Sequence, residues 1–176
     1  MLCAMATLVV YESMFGATRA VAEAVAAGLE SARPVRLVEV TEFVDAPGRG
    51  ALPPDVTLLV LGGPTHAFGM SRPATRADAE KRYGPVLSKI GVREFLEHAE
   101  LPAGLLVGAF GTKLSSPLSG SAARGIAQRL RKLGGRLAMP PQDFFVPGSS
   151  GVEEAQLEAA RVWGERLATA ASLLLD

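Results

Sequence analysis

The chain has a single cysteine, Cys3, in 176 residues, so no intramolecular disulfide can staple it. That fits a reducing compartment and predicts a cytoplasmic protein. With nothing basic beside it in sequence, Cys3 reads as an inert thiol. Net charge is missing as well: 18 Lys and Arg balance 18 Asp and Glu, which argues against binding nucleic acid through a basic face. No hydrophobic run is long enough to span a bilayer. Met1–Val10 is apolar but has neither a basic segment nor a small-residue cleavage site, and it reads as the first strand rather than a signal peptide. Two separated histidines and one cysteine make no metal-ligand spacing. The chain also lacks G-x-S-x-G, G-x-x-x-x-G-K-[ST] and G-x-G-x-x-G. Those absences set aside a hydrolase elbow, a nucleoside triphosphate loop and a dinucleotide fingerprint.

What is present suits one domain over residues 1–176, with 48% hydrophobic and 20% charged residues. Short apolar runs alternate with amphipathic ones, the mark of a parallel sheet covered by helices. Ala6–Tyr11, Val56–Leu61 and Gly104–Phe110 read as buried strands, and Val35–Val40 as a strand nearer an edge. Arg136–Met139 and Phe144–Val146 read as a last strand split by Pro140-Pro141. Helical spacing covers Ala17–Ala32, Asp78–Tyr83, Val92–Glu100, Ala122–Leu133 and Glu153–Leu174, the last with Trp163 on its apolar stripe. A weak helix is expected within Glu42–Pro54, and Thr65–Arg76, without periodicity, reads as a loop. Ser119 or Ser121 is expected to cap the helix at Ala122, and Ser150 or Gly151 the final one.

This order predicts a three-layer α/β fold around a doubly wound, five-stranded parallel sheet of order 2-1-3-4-5. Ligands of such sheets sit beyond the carboxyl ends of the strands, at the point where the strand order reverses. The first loop to inspect is Ser13-Met14-Phe15-Gly16-Ala17-Thr18. Successive amides at a helix start attract an anion. Ser13 and Thr18 add hydroxyls, and Gly16 lets the backbone approach a ligand. The set suits one phosphate monoester. Its bland alternative is an ordinary helix start with Thr18 as a cap.

The same six residues resemble the phosphate loop of the flavodoxin family, [ST]-x-T-G-x-T. They match at Ser13, Gly16 and Thr18, and depart at Phe15, where the family usually has a hydroxyl residue. Ala17 stands where the family often has Asn. The resemblance covers nearly the whole chain in element order, with extra length in Ala67–Gly91. It implies a flavodoxin-like fold and non-covalently bound FMN.

It further implies that Pro64, Thr65, His66 and Phe68 flank the flavin ring, with Thr65 and His66 as edge donors and Phe68 or Met70 as apolar contact. A His66 near the N1–C2 edge would favour the reduced flavin. Phe110, Gly111 and Thr112 become the second ring loop, although Phe110 can equally end its strand by pointing into the core. Electron-carrying flavodoxins usually stack a Tyr here among acidic residues, and this chain has neither. Arg72, Arg76 and Lys113 stand in the two loops instead. They read either as solvated charges offset by Asp78 and Glu80, or as a rim for an acidic partner or the phosphates of NADPH.

Three functions are therefore expected in competition. The first is an FMN electron carrier passing electrons between a reductase and a partner protein. The second is an NAD(P)H-dependent FMN quinone reductase, and the third a non-redox binding module on the same fold. No side chain is expected to be catalytic in its own right, and no metal is expected.

Overall fold

Six consecutive residues without a charge, Ala6–Tyr11, are buried throughout, as a central parallel strand requires. A computed structural model describes residues 6–148 and 151–175 of the chain. The readings of Cys3 and of Ser150 as a cap lie outside these residues.

The strands are β1 (Ala6–Tyr11), β2 (Val35–Glu39), β3 (Val56–His66), β4 (Gly69–Met70), β5 (Leu106–Lys113), β6 (Arg136–Leu137) and β7 (Gln142–Phe145). The sheet runs β2-β1-β3-β5-β6, with β7 also parallel to β5 and β4 antiparallel to β3. This is the predicted parallel order, its fifth strand laid down as two pieces on either side of Pro140-Pro141. Proline cannot donate to the ladder, which explains the gap.

The helices are α1 (Ala17–Leu29), α2 (Val40–Asp45), α3 (Pro73–Tyr83), α4 (Val92–His98), α5 (Ala122–Lys132) and α6 (Glu154–Leu175). Helices α1 and α6 cover one face of the sheet, burying Val21, Val25, Leu29, Trp163 and Leu167 against Val9, Leu58, Val60 and Phe110. Helices α2, α4 and α5 cover the other, where Val40, Phe95, Leu96, Ile126 and Leu130 meet Leu8, Val10, Leu59, Leu61 and Val107. The α1–α6 crossing is closed by two glycines. A Cβ on Gly28 would fall on the Arg161 carbonyl, and one on Gly164 on the Val25 carbonyl. The expected caps resolve in favour of Ser121, whose hydroxyl accepts from the Arg124 amide at 3.0 Å. None of the helices is long and apolar enough to cross a membrane among the described residues.

Three local expectations are corrected. β3 does not end at Leu61, nor β5 at Phe110: Gly62↔Phe110, Gly63↔Gly111 and Pro64↔Thr112 continue the ladder between them. Gly62, read with Gly63 as a strand-ending signal, instead makes room for a neighbour, because a Cβ on Gly62 would lie within the Phe110 ring. Thr65–Arg76 is not a loop. A two-residue turn, Ala67-Phe68, leads from β3 into β4, and α3 begins at Pro73. Both turn residues have positive φ, 43° and 77°, as a type I′ hairpin needs. The usual Asn-Gly signal is absent, so the hairpin was invisible in sequence. The weak helix, α2, starts earlier than expected because the Glu39 side chain accepts from the Thr41 and Glu42 amides and caps it.

Candidate functional site

The chain passes from β1 to β2 on one side and to β3 on the other, so the loops leaving β1 and β3 diverge and open a crevice between them. The turn after β1 enters α1 through Gly16, at φ 102°, a left-handed conformation that glycine adopts without strain. A Cβ at Gly16 would meet nothing within 4 Å, so the space above the turn is open.

The Ser13 hydroxyl is fully buried and accepts from the amides of Gly16 at 3.1 Å and Arg19 at 3.3 Å, which fixes the curl of the turn. The amides of Phe15, Ala17 and Thr18 donate to no group among the described residues. They sit at the positive end of the thirteen-residue α1, where an anion is stabilised. The Thr18 hydroxyl shares one hydrogen bond, 2.8 Å long, with the Thr112 hydroxyl on β5. Two hydroxyls in one bond leave one proton free for a further acceptor.

The turn is braced from behind by the segment following α3. Ser88 Oγ accepts from the Ser13 amide at 2.8 Å and donates to Glu39, while the amides of Leu87 and Ser88 donate to the Met14 and Ser13 carbonyls. Glu12, 1% exposed, accepts from the Ser71 hydroxyl and from the Val92 amide. Arg76 lies 4.0 Å from Glu12 and 3.0 Å from Glu94. Burial pushes the Glu12 carboxyl above the usual range, and these partners only partly offset it. For Glu94 burial also acts upward, but Arg76 outweighs it and the net shift is downward. Arg76 is thus a buried strut and not part of an exposed cationic rim.

A cavity of about 470 Å³ opens in front of the turn. Of the residues singled out in sequence, Ser13, Met14, Phe15, Ala17, Thr18, Pro64, Thr65, His66 and Thr112 line it. Gly16 and Met70 do not, Gly16 because it shapes the turn and Met70 because it faces the neighbouring groove, and neither do three others. Phe110 is fully buried against Trp163, with ring centroids 6.3 Å apart, because its ring fills the gap over Gly62. Gly111 is walled in by Asp143 and Ala123. Phe68 stands outside the cavity at the hairpin tip. Two lining regions had no signal in the sequence: Ala79 and Tyr83 on α3, and Val146-Pro147 after β7. Tyr83 packs edge-on against Phe15, 5.9 Å between centroids, so an aromatic wall comes from α3 and not from the loop after β5.

His66 is held below its ordinary range, chiefly by burial and then by the Arg76 charge. A neutral ring offers a hydrogen bond, not a charge, to whatever lies beside it. A second cavity of about 520 Å³, lined by Val44, Ile90 and Phe95 beside the Arg76–Glu94 pair, includes no residue of the β1–α1 turn.

The cavity thus joins amides without partners among the described residues at the start of α1, an aromatic side chain from α3 and polar groups from β3 and β5. The family model for Flavodoxin matches residues 9–163. Among solved structures, a flavodoxin from the domain Archaea superposes with a TM-score of 0.66 at 22% identity, covering 96% of this chain and 99% of that one. Oxidised flavodoxin 1 from Bacillus cereus gives 0.66 at 15% identity, covering 93% and 97%. A flavodoxin, WrbA-like protein from Agrobacterium tumefaciens gives 0.60 at 23% identity, covering 96% and 98%. No curated protein matches. The structural likenesses establish the fold, and the family model spans most of the sequence including the turn: the chain belongs to the flavodoxin family, a family of flavin-binding proteins that typically take FMN.

Proposed function

We propose that this chain, acting as a single domain, binds FMN in the Ser13–Thr18 crevice and carries electrons between a reductase and a partner protein in the cytoplasm. The observation that carries the reading is the set of amides at Phe15, Ala17 and Thr18 that have no partner among the described residues, in a turn where a Cβ on Gly16 would meet nothing within 4 Å. These amides and the spare Thr18–Thr112 proton hold the phosphate, and Ser13 keeps the turn in shape. Met14 and Phe15 form the wall behind it. Pro64, Thr65, His66 and Thr112 border the ring, with Tyr83 completing its apolar surround. Bound FMN supplies the electron chemistry, and the protein supplies position and polarity. His66, kept neutral, can donate to the ring edge without adding a positive charge that would raise the potential.

The test is a titration of the apoprotein with FMN and with riboflavin, followed by fluorescence quenching. Ser13→Ala loosens the turn that aims the amides, and Thr18→Val removes the spare hydroxyl proton; together they should weaken FMN by about 2–4 kcal/mol and leave riboflavin nearly unchanged. Equal losses for the two ligands mean that the phosphate sits elsewhere. Oxidation of NADPH by a quinone without any partner protein would move the assignment to a quinone reductase.

A further inference from the structure

Beside the flavin crevice runs a groove of about 930 Å³, between the Ala67-Phe68 hairpin tip, residues 117–121 and the outer face of α5. Its charged lining consists of Arg93, Lys113, Arg124, Arg129 and Lys132, with no Asp or Glu among the lining residues. None of the five is ion-paired among the described residues. In a chain of zero net charge this is a strong segregation. Lys113 also lines the flavin crevice, so groove and crevice share a wall.

Helix electrostatics explains only part of it. Arg129 and Lys132 sit in the last turn of α5, where a positive charge stabilises the helix. Arg124 sits in the first turn, where it does the opposite. Arg93 is held toward the groove by donating to the Met70 and Ser71 carbonyls at 3.0 Å, and Lys113 by donating to the Ser119 carbonyl at 3.0 Å.

Two apolar side chains stand on the rim: Phe68 is 74% exposed and Leu118 80%. Phe68 is held there, because a Cβ on Gly120 would fall on the Phe68 carbonyl, so the hairpin tip is pressed against the loop. A bulky residue at φ 77° is strained, and strain of this kind gathers at functional positions.

We propose that this groove is the docking surface for an acidic redox-partner protein, with Phe68 and Leu118 as apolar anchors and the α5 cations steering it onto the flavin edge. The polarity is the reverse of the acidic rim usual on electron-carrying flavodoxins. A protein fits better than a small anion. The cations spread along about 12 Å of helix from Arg124 to Lys132 and do not converge on one point. Exposed aromatic and aliphatic side chains amid arginines are the composition of a protein interface. What the partner exchanges rests on the FMN reading; the surface itself does not.

Binding of an acidic [2Fe–2S] ferredoxin is measured by biolayer interferometry, with cytochrome c as basic control and NADPH as small-anion control. The protein is used before and after titration with FMN. The ferredoxin should bind and cytochrome c should not, and the affinity should fall as salt is raised from about 20 to about 200 mM. Arg124→Glu, Arg129→Glu and Lys132→Glu together should weaken ferredoxin binding about tenfold or more. FMN affinity should hold, since none of the three lines the crevice. Equal ferredoxin affinity in the charge-reversed protein, a preference for cytochrome c, or a loss confined to NADPH overturns the proposal. If FMN fails to bind but ferredoxin behaves as stated, the flavin reading falls and the surface stands.

Discussion

The hydroxyls of Thr18 and Thr112 lie 2.8 Å apart, tying the first turn of α1 to the carboxyl end of β5. Both are buried. Thr18→Val leaves the Thr112 hydroxyl buried without its partner, and should cost about 1–3 kcal/mol of stability. Thr18→Val with Thr112→Val removes both polar groups at nearly constant shape and should cost clearly less than the two single changes added together. Urea unfolding of the four proteins gives the coupling. Strict additivity would show that the hydroxyls do not depend on each other.

Gly62 and Phe110 are partners across β3 and β5, and the ring occupies the volume a Cβ at Gly62 would take. Gly62→Ala should therefore overpack the core by about 3 kcal/mol. Phe110→Leu alone opens a cavity and also destabilises. Combined with Gly62→Ala, it should restore part of the loss, because the new methyl enters the space left by the ring. Thermal unfolding reads this directly. A double variant no better than Gly62→Ala would mean that the backbone, not the ring, limits the position.

The same pair shows how far the sequence could be read. The alternation of apolar and amphipathic runs from Ala6 to Phe110 revealed the buried strands, since burial and period are set by the pattern of residues; their order followed from right-handed crossovers and the family resemblance. The Ser13–Thr18 turn was legible because strand, loop and helix stand in the order an anion site needs. Gly62 misled, because a glycine that yields to a neighbour's ring looks the same in sequence as one that turns the chain. Phe110 was consequently offered to the flavin as well as to the core. Tyr83 had no signal: it reaches the crevice only because α3 begins at Pro73 and ends over Phe15. Arg76 looked like a surface charge because its partners Glu12 and Glu94 are 64 and 18 residues away.

Glu12 and Glu94 should respond to pH in opposite directions. The folded pKa of Glu12 lies above its unfolded value, so the fold binds more protons than the unfolded chain just above that value. The contribution of Glu12 to stability is then full at low pH and declines as pH rises through the folded pKa. Glu12→Gln does not titrate. Its stability relative to the parent should improve as pH rises from about 4.5, in urea unfolding at matched salt. Glu94 is shifted downward beside Arg76, so its contribution is present at neutral pH and is lost as pH falls. Glu94→Gln should thus lose its disadvantage in acid. If Glu12→Gln instead fell behind as pH rose, attraction to Arg76 would outweigh burial and the assigned direction would be wrong.

Phe68 separates two accounts of the hairpin tip. The family resemblance made it a flavin contact, whereas the structure sets it outside the crevice, largely exposed and at φ 77°. Phe68→Gly removes little buried surface and relieves the left-handed strain, so it should stabilise the protein by about 1 kcal/mol despite the added freedom of the unfolded chain. Riboflavin affinity should not change, because Phe68 is not among the residues lining the crevice. Binding of the acidic ferredoxin should weaken several-fold through loss of an aromatic anchor. A matching loss of riboflavin affinity would return Phe68 to the flavin. Strain would then be kept at the tip to hold the cofactor, and not to present the ring to a partner.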